Sequence, residues 1–129
     1  MSDLWDSWSG APMPGTALCP FVDIPDGGSL CIVHDGFPIV LARKGRSVKA
    51  YVNACPHQYL PLNHRGEKLL SADGSILRCS NHGAGFSVIN GEGVEGLGIG
   101  ACLDAVPIII SADNQIVVAE VLGELAAVR

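Results

Sequence analysis

Cys55-Pro56-His57 and Cys79-Ser80-Asn81-His82 are the stretches on which the reading of this chain turns. Each supplies one thiol and one imidazole at a spacing of two or three residues, so four soft and borderline ligands converge on one metal centre if the two loops meet. A Cys2His2 set has two ordinary readings. One is a tetrahedral structural zinc; the other is a cluster of two irons and two sulfides in which two thiolates hold one iron and two imidazoles the other. The order of the ligands separates them. A common zinc finger takes both thiolates from one turn and both imidazoles from a following helix, whereas here each loop carries one of each. With Cys55 and Cys79 side by side at an inner iron, His57 and His82 fall side by side at an outer one, near the surface, where an electron leaves most easily.

The flanking residues extend the pattern. Asn53-Ala54-Cys55-Pro56-His57 with Pro61-Leu62 after it, and Cys79-Ser80-Asn81-His82-Gly83-Ala84-Gly85-Phe86 with Gly91 beyond, resemble the two cluster-binding loops of the Rieske family. The resemblance runs over roughly residues 17 to 120. It implies an all-β fold, a Rieske-type antiparallel β sandwich or barrel with a small cluster-binding subdomain, and one Rieske 2Fe-2S cluster bound by Cys55, His57, Cys79 and His82. In high-potential respiratory members each loop adds a cysteine and the two form a disulfide; Leu60 and Asn81 stand at those positions here, so no such bridge forms. Those members also direct a Ser and a Tyr hydroxyl at the cluster and ligand sulfurs, where this chain has Ala84 and Phe86. Missing donors leave charge on the sulfurs uncompensated, which disfavours the reduced form and places the expected potential near about −150 mV, the bottom of the Rieske range. A proline-containing loop usually covers the cluster in the family, and Leu97-Gly98 stands in for it.

Length and composition agree with a single domain. A chain of 129 residues buries about two-thirds of its unfolded surface, enough for one core. Hydrophobic residues make up 48%, many of them Val and Ile, while 16 Gly and 8 Pro mark frequent turns, as in all-β proteins. No apolar run approaches the roughly 18 residues of a membrane span, and Met1 to Asp6 lack the basic start and apolar core of a signal peptide, so a cytoplasmic location is expected. The net charge of −5 argues against nucleic acid and anionic membrane as partners. Of the five cysteines, Cys19, Cys31 and Cys102 remain outside the motif and are expected as buried thiols acting as small hydrophobes.

Taken in order, residues 1–15 read as an N-terminal extension that Trp5 and Trp8 pin to the domain, residues 16–121 as one Rieske domain with a cluster-binding subdomain at about 53–98, and residues 122–129 as a tail. Strands are expected at 16–22, 29–34, 37–42 and 48–53, forming a meander that leads into the first motif loop, with Asp35-Gly36 as a two-residue hairpin turn. Arg43, Lys44, Arg46 and Lys49 read as a solvated hairpin tip that blunts a sheet edge. Beyond the first loop, His64 reads as an exposed loop residue, and Asp73-Gly74 and Asn90-Gly91 mark turns around strands at 75–78 and 84–89. Residues 93–103 are too glycine-rich for a regular strand, and 106–110 and 115–121 close the domain.

The resemblance implies a stand-alone Rieske-type ferredoxin, an electron carrier and not an enzyme, that takes one electron from a flavin-dependent reductase and passes it to a terminal oxygenase of the ring-hydroxylating type. At 129 residues no oxygenase catalytic domain is expected beside the Rieske one, and Gly96-Leu97-Gly98-Ile99-Gly100 lacks the strand-to-helix setting of a dinucleotide-binding loop. The alternatives are a Rieske-like small subunit of an assimilatory nitrite reductase and, more remotely, a structural zinc module that binds a protein.

Overall fold

A computed structural model describes residues 10–55, 61–64, 66, 68–80 and 83–119. Among them run ten strands: β1 (Ala17–Pro20), β2 (Ser29–His34), β3 (Phe37–Lys44), β4 (Ser47–Val52), β5 (Ile76–Arg78), β6 (Gly85–Ser87), β7 (Gly93–Glu95), β8 (Ala105–Val106), β9 (Ile108–Ile110) and β10 (Gln115–Val118). They form three sheets, in the orders β1-β10-β9, β2-β3-β4-β8 and β5-β6-β7. All pairings are antiparallel, so the fold is all-β as expected.

The central sheet forms where the sequence signals are strongest. Asp35 and Gly36 both take positive φ, 48° and 82°, the pair of left-handed residues that a two-residue hairpin matching the strand twist requires. His34 then faces Phe37, and six residue pairs zip β2 to β3. β3 runs past its expected end at Ala42 to Lys44, because Gly45, with φ 62°, turns the chain tightly enough for Lys44 to face Ser47. Side chains alternate across a strand, and in this sheet both faces are covered. Phe37, Ile39 and Leu41 of β3, with Ala50 and Val52 of β4, pack with Ile24, Ile116 and Val118 in one core. Val40 and Tyr51 point the other way, into a second core with Leu62, Leu69, Leu77 and Phe86. The same alternation carries past the end of β4: Ala54 belongs to the first core and Cys55 to the second.

β1 does not join the meander; it pairs with β10 in the sheet that closes the first core. After Pro20 a single turn of 3-10 helix, Phe21–Asp23, redirects the chain. The expected closing strand at 106–110 is divided by Pro107. Before it, β8 pairs with β4; after it, β9 pairs with β10, so the chain changes sheet at the residue that has no N–H to give a ladder.

Three further expectations are corrected. The Arg43–Arg46 tip is not merely solvated: both guanidinium groups lie on the buried Phe21 ring, 4.1 and 4.7 Å from its centroid, and Arg43 Nη1 donates to Ile24 O at 2.8 Å. The tip therefore roofs the first core. Cys19, Cys31 and Cys102 are half-buried, not buried, because Cys19 and Cys31 sit in strands that are covered only in part and Cys102 lies in the extended link before β8. Finally, Gly93–Glu95 does form a strand, paired with β6. Its glycine serves close approach: a Cβ at Gly93 would lie 1.6 Å from Gly98 O. Trp5, Trp8 and the tail 122–129 fall outside the described residues.

Candidate metal centre

β4 delivers Cys55 and β5 delivers Cys79, each one to three residues beyond the strand end. Both side chains are nearly closed off from solvent, 2% and 3% exposed, and both belong to the second core, beside Leu62, Ala84 and Phe86. No disulfide joins them. His57 and His82, and with them Leu60 and Asn81, lie outside the described residues. Among the described residues no three His, Cys, Asp or Glu side chains gather.

What brings the two loops together is Leu62. Its N–H donates to Asn53 Oδ1 at 2.7 Å, which ties the far end of the first loop back to its start. Its carbonyl accepts from the second loop twice, from Ser80 N–H at 2.8 Å and from Ser80 Oγ at 2.6 Å. Asn53 is the one buried polar residue among those described, and its amide nitrogen donates to Asn63 Oδ1 at 3.0 Å; a buried amide satisfied in this way fixes its surroundings. The second loop closes on itself, Cys79 N–H donating to Ala84 O at 2.8 Å and Gly83 N–H to Cys79 O at 3.0 Å. Asn53 and Ser80 were part of the motif as quoted, but their clamping role is invisible in sequence because both bonds reach a residue on or across the other arm of the site.

The residues after Glu95 lie against β6 and the end of the second loop, where a Cβ at Gly96 would come within 3.6 Å of Gly83 O. Gly96–Gly98 makes one 3-10 turn, and a Cβ at Gly98 would come within 2.9 Å of Gly85 O and 3.2 Å of Phe86 Cζ. Leu97 and Ile99 stand outward, 53% and 68% exposed. Ala84 and Phe86 are fully buried, and neither carries a hydroxyl. Tyr51 is buried as well, but its hydroxyl donates to Val88 O at 2.7 Å, and burial, then the neighbouring Cys102 thiol, pushes its pKa up. His64 is exposed, as expected, with its backbone N–H on Pro61 O. Burial, followed by Asp23, raises the Cys19 thiol to about 11, which keeps it protonated and a poor ligand at neutral pH.

Two buried, unbridged cysteines on two loops that are tied at one residue fit the inner half of a mixed thiolate and imidazole centre, and each loop continues directly into a stretch that carries a histidine. Comparison with known proteins agrees. The family model "Rieske [2Fe-2S] domain" matches residues 16–100. No curated protein sequence matches the chain. Among solved structures, the ferredoxin of carbazole 1,9a-dioxygenase from Nocardioides aromaticivorans IC177 is similar with a TM-score of 0.70 at 20% identity, over 84% of this chain and 100% of that one. The Sphingomonas yanoikuyae B1 ferredoxin gives 0.67 at 18%, over 83% and 99%. A structure described as a nitrite reductase NADPH small subunit gives 0.65 at 18%, over 84% and 100%. At these identities the likeness establishes the fold. Among the described residues no helix is long and apolar enough to cross a membrane.

Proposed function

The chain belongs to the Rieske [2Fe-2S] domain family, and on that premise we propose that Cys55, His57, Cys79 and His82 hold its single cluster and that the chain is a one-electron carrier, a ferredoxin and not an enzyme. When bound, a cluster of this kind takes up and releases one electron at a potential between about −150 and +300 mV. The chain's own residues supply three things. Cys55 and Cys79 sit at the floor of the site, inside the second core, where water is excluded. Leu62, Asn53 and Ser80 hold the loops in one relation, so that little rearrangement accompanies the change of charge. Ala84 and Phe86 withhold the hydroxyl donors that would favour the reduced form, which supports a potential near about −150 mV.

The observation that carries the reading is the pair of buried cysteines on loops joined at Leu62. The electron donor is a flavin-dependent reductase and the acceptor a terminal oxygenase of the ring-hydroxylating type, a reading supported by likeness to a ferredoxin of carbazole 1,9a-dioxygenase. The similar fold of a nitrite reductase small subunit supports a second reading, which co-purification with a sirohaem protein would establish. The test is electron paramagnetic resonance of the dithionite-reduced protein purified without oxygen, with a redox titration. A rhombic mixed-ligand signal with a midpoint well below zero is expected, and it should vanish in His82→Ala. A silent sample with stoichiometric zinc overturns the electron-transfer reading, and a midpoint above zero overturns the low-potential one.

A further inference from the structure

Arg78, Gly85 and Glu95 form one row across the small sheet: Arg78 faces Gly85 in the β5-β6 pair, and Gly85 faces Glu95 in the β6-β7 pair. Directly opposed residues share a face of the sheet, so an arginine and a glutamate two strands apart meet over a residue with no side chain. They meet as a fork, Arg78 Nε to Glu95 Oε1 at 2.8 Å and Nη2 to Oε2 at 3.1 Å. Gly85 makes this possible, since a Cβ there would lie 2.7 Å from Glu95 Oε1 and 2.9 Å from Glu95 Cβ.

The two ends of the fork lie at sensitive places. Arg78 is the residue before Cys79, and Glu95 is the residue before the Gly96–Gly98 turn that lies on the second loop. The turn holds few bonds of its own: Ile99 N–H to Gly96 O at 3.3 Å, Ala101 N–H to Gly98 O at 3.0 Å, and Gly93 N–H to Ala101 O at 2.9 Å. Its outward side chains, Leu97 and Ile99, are more than half exposed.

We propose that the Arg78–Glu95 fork is a positioning clamp that holds the Gly96–Gly98 turn over the second loop and so sets how far solvent reaches the redox centre. The role rests on the carrier function proposed above. Bidentate arginine–carboxylate geometry is the case in which an exposed pair does more than an ordinary surface ion pair. Loosening the turn admits water, and water stabilises the more negative, reduced state of a buried centre, raising its potential.

Two charge-removing variants separate a clamp from a pair of local charges. Lost charge alone moves the potential in opposite directions: up for Glu95→Gln, down for Arg78→Gln. Loss of a clamp moves both up. The experiment compares wild type, Glu95→Gln and Arg78→Gln, all loaded with cluster, by redox titration and by amide hydrogen exchange of residues 93–101. The expected result is a higher midpoint in both variants and exchange about two- to fivefold faster in that segment, with unchanged exchange in β2 and β3. Unchanged exchange, or midpoints that move apart, overturns the clamp. A wild-type chain that never yields the rhombic signal breaks the carrier reading instead, and the exchange comparison then decides alone whether the fork holds the turn.

Discussion

On one face of the β2-β3-β4-β8 sheet, Phe37, Ile39 and Leu41 are sealed by Ile24, Ile116 and Val118, and six-residue pairings run the length of the hairpins. On the other, the strands of the small sheet are three residues long, and besides the burial of Leu77 and Phe86 individual polar bonds tie this side: Asn53 and Ser80 on Leu62, Asp73 on Ser71 and Ser75, Arg78 on Glu95. The first region is stabilised by buried area, which is additive and tolerant of small changes. The second has a buried core of its own, with Tyr51, Leu62, Leu69, Leu77 and Phe86, and adds to it a few bonds, each of which leaves a group without that partner when lost. The first core keeps the fold, while the bonds added on the second face shape the candidate site.

The sharpest way to break this comparison is Phe37→Ala. The ring is 0% exposed at the heart of the first core, so its removal should lower the unfolding free energy by about 3–5 kcal/mol. Urea denaturation measures it, and amides of all three sheets should lose protection together, since the central sheet carries the rest. A cost under about 1 kcal/mol would mean that burial there is not what holds the molecule.

A smaller and more local effect is expected of Asn53→Ala. It leaves the buried Leu62 N–H without the Asn53 acceptor and removes the Asn53 amide bond to Asn63 Oδ1, at a cost of about 1–3 kcal/mol. Hydrogen exchange should then rise at Leu62 and Ser80 well before it rises in β2 and β3, and the reduced protein's resonance signal should broaden as the loops loosen. If exchange rises uniformly, the two faces are one cooperative unit and the division fails.

How much of this was legible in the sequence follows the same line. Asp35-Gly36 and the alternation of Phe37, Ile39 and Leu41 are local signals, and they became the hairpin and the first core. The spacing of the motif cysteines is a local signal as well, and both side chains are buried against one core. The misses depend on residues far apart in the chain. β1 leaves the meander because β10 offers it an edge. Gly93–Glu95 falls in a stretch that reads as too glycine-rich for a regular strand until it is seen paired with β6, with Gly98 lying against it. Arg43 and Arg46 read as solvated until Phe21 is placed beneath them. The Arg78–Glu95 fork exists only through a register across three strands, which no short window of sequence contains.

The smallest effect lies at the turn that feeds β5. Asp73 accepts from Ser75 Oγ at 2.7 Å, Ser71 Oγ at 2.8 Å and Ser75 N–H at 3.0 Å. These bonds, that from the Ser75 hydroxyl first, hold its carboxyl at about 2, below the ordinary 3.8. Because the folded value lies below the unfolded one, the stabilisation is complete above the ordinary value and disappears as pH falls through about 2. Asp73 is fully exposed, so the effect is confined to the turn and does not reach the first core. Amide exchange at Ser75 and Ile76, corrected for its intrinsic pH dependence, should therefore rise between pH 4 and 2 in the wild type, with β2 and β3 unaffected. In Asp73→Asn, which keeps an acceptor oxygen without the charge, the profile should be flat. A wild-type profile as flat as the variant's would show that the turn is held by its backbone bonds, Gly74 N–H to Ser71 O and Ser71 N–H to Ile76 O, and the bonded face would then owe less to single side chains than the contrast with the first core implies.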